Sequence, residues 1–228
     1  MLAGGTGSRM GRPKQFIELR GLPALQYTLQ AFEDCPEVAR IYAVGKEPMV
    51  EDLARSVGIS KYAACAEPGE SRSLSTRNGL LICEEDPETI VLVHDGSRCL
   101  VTPELIGRIV EAARAPSRPD GVVPGIAVSD TIKAASDGVV SKTLDRSTLW
   151  AVQTPQAFRL GLLRRLHELT EEHLRTATDD ASLVERDGGR VEVVAGEKTN
   201  IKLTSPEDLV LAEAILAARE DATQEVRS

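Results

Sequence analysis

Short runs of apolar and β-branched residues alternate along the chain with stretches in which apolar side chains recur every three or four positions. Residues 40–44, 62–66, 89–94, 121–124 and 191–195 are of the first kind and are predicted to be strands. The second kind predicts helices over residues 22–32, 48–56, 71–84 and 103–113. In residues 22–32, Leu22, Leu25, Leu29 and Phe32 fall on one face. Thr102 stands as the N-cap of the 103–113 helix, with Pro103 in its first turn. Ser205-Pro206-Glu207-Asp208 reads as the capping-box-like start of a last helix carrying Leu209, Leu211, Ala214, Ile215 and Leu216.

Alternating strands and helices predict an α/β fold: a mostly parallel sheet flanked by helices, with ligands in the crevice at the strands' carboxyl ends. Residues 127–150 break the rhythm. They hold polar and β-branched residues around the turn signal Ser136-Asp137-Gly138 and no amphipathic helix, so they are expected to form a hairpin arm projecting from the sheet.

A length of 228 residues with 42% hydrophobic content suits one α/β domain. Cys35, Cys65, Cys83 and Cys99 stand singly, without zinc or CxxC spacing, which points to reduced thiols in a cytoplasm. The N-terminus lacks a basic stretch followed by an apolar run, and the most apolar stretches are strand-sized, so no membrane association is expected. A formal charge of −8 argues against nucleic acid as a partner. An anionic ligand would have to be small and met by locally gathered Arg and Lys.

The chemistry-bearing features begin at the start of the chain. Leu2-Ala3-Gly4-Gly5-Thr6-Gly7-Ser8-Arg9-Met10-Gly11 places four glycines where a strand gives way to a loop, and backbone N–H groups there can approach phosphate oxygens because no Cβ intervenes. Arg9 and Lys14 add cations. An ordinary glycine-rich turn is the competing reading. A dinucleotide GxGxxG is excluded because its third glycine position is Met10, and a Walker loop because Lys14 follows Pro13 and precedes Gln15.

Further along, the 89–94 strand ends in Asp95-Gly96-Ser97-Arg98. Asp95 there suits a ribose hydroxyl or magnesium and Arg98 a phosphate, with a strand-end ion pair as the alternative. Glu70-Ser71-Arg72-Ser73-Leu74-Ser75 opens a helix with hydroxyls that suit capping or a nucleotide. Gln153-Thr154-Pro155-Gln156 and Thr178-Asp179-Asp180-Ala181 read as loops followed by helices. Lys202 alternates with Ile201 and Leu203 and so points away from them. The histidines show no metal spacing: His94 ends a strand, while His167 and His173 are expected on a polar helix face.

Taken in order, LAGGTGSRMG with PKQF, GESRSLSTRNGL, VLVHDGSR, SDTIK, LDRSTLWAVQTPQAF, ATDDASLVE and NIKLTSPEDLVLAE resemble the 2-C-methyl-D-erythritol 4-phosphate cytidylyltransferase family over nearly the whole chain. The resemblance implies a Rossmann-like nucleotidyltransferase fold in a single domain, with a protruding β-arm that completes the neighbour's site in a homodimer. It implies CTP and a polyol phosphate as substrates and Mg2+ as cofactor. Gly4, Gly5, Arg9 and Lys14 would hold the CTP phosphates, and Ser75 with the backbone around Ala3, Gly4 and Gly69 would recognise cytosine. Asp95 would serve the ribose or the metal. Asp95, Arg98, Thr178 and Lys202 would line the acceptor side, with Thr131 and Arg146 from the partner's arm. The catalytic set would be Arg9, Lys14 and Lys202, with Lys14 and Lys202 flanking the α-phosphate. The acceptor, a phosphate monoester, is already an anion and needs no strong general base.

Departures from the family pattern fall at two places. Only Met1 and Leu2 precede Ala3, so the first strand is expected to be a stub. Cys99 follows Arg98 where the family commonly has proline, and Gly96-Ser97 replaces a small apolar pair, which is expected to loosen the turn. Two other readings stand beside the main one: a ribitol-5-phosphate cytidylyltransferase, which the opening LAGGTGSRMG also suits, and a catalytically silent nucleotide-binding or dimerisation module.

Overall fold

The computed structural model describes residues 1–5 and 14–227, without the side chains of residues 14, 47 and 223–227. A two-residue hairpin, β1 (Glu18–Leu19) and β2 (Leu22–Pro23), leads into α1 (Ala24–Asp34). Then follow β3 (Ile41–Val44), α2 (Glu47–Ser56), β4 (Tyr62–Ala66), α3 (Arg72–Leu81), β5 (Ile90–Val93) and α4 (Pro103–Ala113). After β6 (Gly121–Ala127) come β7 (Lys133–Ser136), β8 (Val139–Thr143), β9 (Trp150–Val152) and β10 (Gln156–Arg159). The chain continues through α5 (Leu160–His167), α6 (Glu171–Arg175) and α7 (Ala181–Arg186) to β11 (Val191–Ala195) and α8 (Pro206–Arg227).

The central sheet runs β4, β3, Leu2, β5, β10, β6, β11. β3 pairs parallel with β4, Leu2 bridges in parallel to both Val44 and Asp95, and β11 pairs parallel with β6. β10 runs against its neighbours, antiparallel to β5 and β6, and the short β9 is antiparallel to the end of β6. The sheet is therefore mostly parallel, and its parallel strands deliver their carboxyl ends to one edge.

Helices cover both faces. On one, Leu25, Leu29 and Phe32 of α1 and Leu105, Ile106 and Ile109 of α4 pack on Ile41, Ala43 and Val122. On the other, Leu74 and Leu80 of α3, Leu163 and Leu166 of α5 and Val184 of α7 pack on Val93, Val123 and Phe158. The cap expected for α4 is formed: the Thr102 side chain accepts from Leu105 N at 3.1 Å, and Pro103 occupies the first turn.

Three elements differ from the sequence expectation. α1 begins at Ala24, because Leu22 and Pro23 are drawn into pairing with Leu19 and Glu18. α3 ends at Leu81 instead of residue 84. The segment expected to pass from a loop at residues 153–156 straight into a helix first forms β10, the buried strand at the centre of the sheet. Gln156 hides this strand in the sequence. It is buried although polar, and it is satisfied sideways: its Nε2 donates to Asp179 Oδ2 at 2.7 Å and its Oε1 accepts from Ala181 N at 3.3 Å.

The expected hairpin arm is present. β7 and β8 pair antiparallel around Asp137-Gly138, both with positive φ, the backbone of a two-residue hairpin turn. β9 then returns to pair with the far end of β6.

The expected stub of a first strand is also present. Met1, Leu2 and Ala3 lie between β3 and β5, with Leu2 N donating to His94 O at 2.7 Å and Ala3 N to Val44 O at 2.7 Å. Ahead of them the two flanking strands border a cavity of about 480 Å³ lined by Phe32, Tyr42, Leu80, Val91, Leu92 and Val110, among others. The Met1 ammonium donates to Tyr42 O at 2.8 Å, and burial pushes its pKa down to about 6. Among the described residues no helix is long and apolar enough to cross a membrane.

Candidate active site

The carboxyl edge of the sheet gathers the stub, the start of α3, the end of β5 and the loop before α8. Gly4 and Gly5 leave the stub here. A Cβ on Gly4 would lie 2.3 Å from Pro68 Cβ, so the first loop passes the β4–α3 loop only as glycine. Gln15, buried and not singled out in the sequence, donates from Nε2 to Ala3 O and ties the far end of the loop to its start. Arg9 lies outside the described residues. The backbone of Lys14 opens a 3-10 turn, Lys14–Phe16, while its side chain lies outside them.

At the start of α3, Ser71 Oγ accepts from Leu74 N at 3.2 Å as N-cap. Ser75 Oγ accepts from Gly69 N at 3.1 Å and donates to Ser71 O at 2.9 Å, so Ser75 holds the Gly69 backbone in place. An added Cβ at Gly69 would sit 2.7 Å from the Leu74 carbonyl carbon, which leaves glycine as the residue that fits.

The end of β5 is fixed by His94. Its Nε2 donates to Arg98 O at 3.2 Å and its Nδ1 accepts from Thr154 Oγ1 at 3.1 Å, which in turn accepts from Asp95 N at 3.1 Å. Complete burial pushes the His94 pKa down to about 3, so the ring stays neutral and serves as a brace.

Asp95 is the hub. Its Oδ1 accepts from Arg72 Nε at 3.1 Å and its Oδ2 from Lys202 Nζ at 2.7 Å. Burial alone would push its carboxyl up; the Arg72 guanidinium and Lys202 ammonium overrule that and hold it well below the usual carboxylate range. Arg72 Nη1 also donates to Asp180 Oδ2 at 2.6 Å. Arg98 is turned beside the hub, donating from Nη1 to Asn200 O at 2.9 Å, and its burial lowers its pKa.

The structure thus brings Asp95, Arg98 and Lys202 together, beside Gly4, Gly69 and Ser75. Three cations, Arg72, Arg98 and Lys202, face two carboxylates, Asp95 and Asp180, a surplus of positive charge suited to an anion. The buried Nη2 of Arg72 and Nε of Arg98 have no acceptor among the described residues. Thr178 is exposed, two residues ahead of Asp180. Thr131 and Arg146 are not brought to the hub: both are exposed on the arm, where Arg146 Nη1 donates to Ser129 O at 2.7 Å.

Several residues of the site escaped the sequence reading. Gln153 and Thr154, expected in a loop, and Asn200, not singled out, are buried supports. Gln153 Nε2 donates to Glu197 O at 2.8 Å and Asn200 Nδ2 to Thr154 O at 2.9 Å, and these bonds fix the loop that presents Lys202. His167 is corrected from a polar helix face to the core. It is 1% exposed, because α5 turns it inward and its Nε2 donates to the fully buried Asp180 Oδ1 at 3.0 Å. Cys99 does not loosen the turn after Asp95. Arg98 N still donates to Asp95 O at 2.9 Å, and Cys99 packs with Leu19, Ala24 and Leu100, its thiol pushed up to about 12 by burial.

A parallel sheet with a glycine-rich first loop and a cation-rich carboxyl edge defines a Rossmann-like nucleotidyltransferase. Comparison with known proteins narrows the class. The family model of IspD, 2-C-methyl-D-erythritol 4-phosphate cytidylyltransferase, matches residues 1–218. The protein of that name from Rubrobacter xylanophilus is 66% identical over 220 residues, covering 96% of this chain and 94% of that one. Its namesake from Geobacillus kaustophilus is 44% identical over 224 residues, covering 96% of each. Among solved structures, the Thermus thermophilus enzyme of the same name is 34% identical with a TM-score of 0.76, covering 95% of this chain and 96% of that one. The 4-diphosphocytidyl-2C-methyl-D-erythritol synthase of Anaerococcus prevotii is 30% identical with a TM-score of 0.79, covering 95% and 93%. The chain belongs to the 2-C-methyl-D-erythritol 4-phosphate cytidylyltransferase family.

Proposed function

We propose that the chain transfers the cytidylyl group of CTP to 2-C-methyl-D-erythritol 4-phosphate in isoprenoid biosynthesis. The observation that carries the reading is the Asp95 hub, where Lys202 and Arg72 share one carboxylate beside the glycine loop. An oxygen of the acceptor's phosphate attacks the α-phosphorus of CTP, the bond from that phosphorus to the bridging oxygen breaks, and pyrophosphate leaves with the electron pair. The acceptor is already ionised, so the burden is electrostatic: two anions must meet and charge must build on the leaving group. Lys14 and Lys202 flank the α-phosphate, and Arg9 with the amides of Gly4 and Gly5 holds the remaining phosphates. Ser75, whose proton is already given to Ser71 O, keeps a lone pair for the cytosine amino group, while the backbone at Ala3, Gly4 and Gly69 reads the ring edge. Arg98, Thr178 and Lys202 receive the acceptor.

Magnesium fits the site as an ion carried by the substrate. Among the described residues no three His, Cys, Asp or Glu side chains cluster as a metal cage. Asp95 is the carboxylate at the edge that would join the CTP phosphates and waters in holding Mg2+, the way this ion is commonly bound. Bound there, it would neutralise phosphate charge. The buried thiols of Cys35, Cys83 and Cys99 fit a reducing cytoplasm.

Pyrophosphate release by the purified chain tests the reading, with CTP beside ATP, GTP and UTP and methylerythritol phosphate beside ribitol 5-phosphate. Turnover is expected with CTP and methylerythritol phosphate at least tenfold above every other pairing, and to vanish with excess chelator. Preference for ribitol 5-phosphate or another triphosphate overturns the substrate assignment, and activity in chelator overturns the metal.

The arm is assigned to a homodimer, in which Thr131 and Arg146 reach the partner's acceptor. It exposes Val139 and Val140 on β8 and Trp150 and Val152 on β9, apolar area that a second copy would cover. Mixing inactive Arg146→Ala and Lys202→Ala chains is expected to restore activity, because a mixed dimer holds one site with both residues intact. No recovery after subunit exchange overturns the shared site.

A further inference from the structure

Arg72 is the first residue of α3, and its guanidinium spans two carboxylates with two different N–H groups. Nη1 meets Asp180 Oδ2 at 2.6 Å and Nε meets Asp95 Oδ1 at 3.1 Å. Asp180 lies behind the site, 0% exposed, and its other oxygen is taken by His167 Nε2 at 3.0 Å. It faces no crevice and has no route to a substrate. A buried carboxylate is costly unless paired and hydrogen-bonded, and here burial would raise its pKa while Arg72 and His167 hold it down. Asp180 is thus an internal counter-ion that fixes the plane of one guanidinium.

The consequence is felt on the far side. With Nη1 anchored, Nε holds Asp95 Oδ1, and Asp95 Oδ2 is left to Lys202 at 2.7 Å. The chain His167–Asp180–Arg72–Asp95–Lys202 runs from the core under α5 to the ammonium at the crevice. We propose that Arg72, anchored by Asp180 and His167, is a positioning residue that holds Asp95 and through it the Lys202 ammonium for cytidylyl transfer. The inference rests on the function proposed above. A lysine keeps the charge but cannot serve two carboxylates in divergent directions with a rigid fork, so charge and geometry separate at this position.

Steady-state kinetics of Arg72→Lys and Asp180→Asn with CTP and methylerythritol phosphate test it, beside thermal melts of each. Arg72→Lys is expected to lower kcat about 50-fold with KM for CTP within threefold, and Asp180→Asn to lower kcat about tenfold in the same pattern. The double variant is expected to fall no further than Arg72→Lys, since both break one chain of contacts. If Arg72→Lys retains kcat within threefold, or if the melting temperature falls while kcat per folded molecule holds, the positioning role is overturned. Should Arg72→Lys not fold, Asp180→Asn decides alone, and kcat within threefold overturns the proposal. Absence of turnover by the unsubstituted chain would fail the functional reading itself, a result distinct from either.

Discussion

Lys202→Ala lowers kcat for cytidylyl transfer by about two to three orders of magnitude, the usual cost of removing one preorganised charge that stabilises a developing anion. The effect has two parts in this site. The substitution removes a cation facing the phosphates, and it leaves Asp95 Oδ2, 2.7 Å from the lost ammonium, turned toward the incoming acceptor. Asp95 stays ionised through the whole neutral range, because Arg72 still holds its other oxygen. A repulsive carboxylate thus replaces a neutralised one. Stability falls modestly: Lys202 is 42% exposed but Asp95 only 11%, so the carboxylate oxygen left without its partner costs about 1–3 kcal/mol. Pyrophosphate release at saturating substrates, with a thermal melt beside it, checks the pair of outcomes. A loss smaller than tenfold would remove Lys202 from the catalytic set.

How much of this arrangement is legible in the sequence depends on whether a residue's neighbours are local. α4 is readable because its cap, its proline and its apolar face all lie within twelve residues, and the arm because Asp137-Gly138 enforces a two-residue turn. Asp95 and Lys202 are readable as candidates since each stands at an element's end or in a strict alternation. β10 and the Asp180 anchor are not. Gln156, His167 and Asp180 are polar residues made buriable by partners 13 to 108 positions away. A single sequence assigns such residues to the surface, because it records their polarity and not the bonds that offset it. Arg72 shows the same limit: its serine neighbours explain a cap, but its two carboxylates come from 23 and 108 positions away. Arg9 and the Lys14 side chain, the most legible cations of all, lie outside the described residues.

Joining four β-branched apolar residues to the amino group of Met1 raises the stability of the fold by about 4–6 kcal/mol at neutral pH. The cavity ahead of Met1 lies between β3 and β5, in line with a stub that already pairs in parallel with both. An extended segment there would continue the stub between two strands and be covered by helices on both faces, the setting in which a strand is apolar throughout. Burying each Val or Ile side chain contributes ~1.5–3 kcal/mol and its ladder bonds ~0.5–1.5 each, against ~1–2 for ordering the backbone, so roughly 1 kcal/mol remains per residue. The amine adds a second, pH-dependent part. Its folded pKa of about 6 lies below its ordinary 8.0, so between these values the unfolded chain binds more proton and stability rises with pH. The penalty is fully present below pH 6, at roughly 2–3 kcal/mol for two units, and is gone above pH 8. A peptide bond at this nitrogen abolishes it. The advantage of the extended chain is therefore expected to be largest at pH 5.5 and to shrink by roughly 2–3 kcal/mol by pH 8.5. At neutral pH the melting temperature is expected to rise by about 10 °C or more, at 2–4 °C per kcal/mol for a domain of this size. Denaturant unfolding of both chains across that pH range reads the two parts separately. A rise under 3 °C would show that the cavity does not accept a strand, and an advantage that grows with pH would show that the Met1 amine is not the buried cation described.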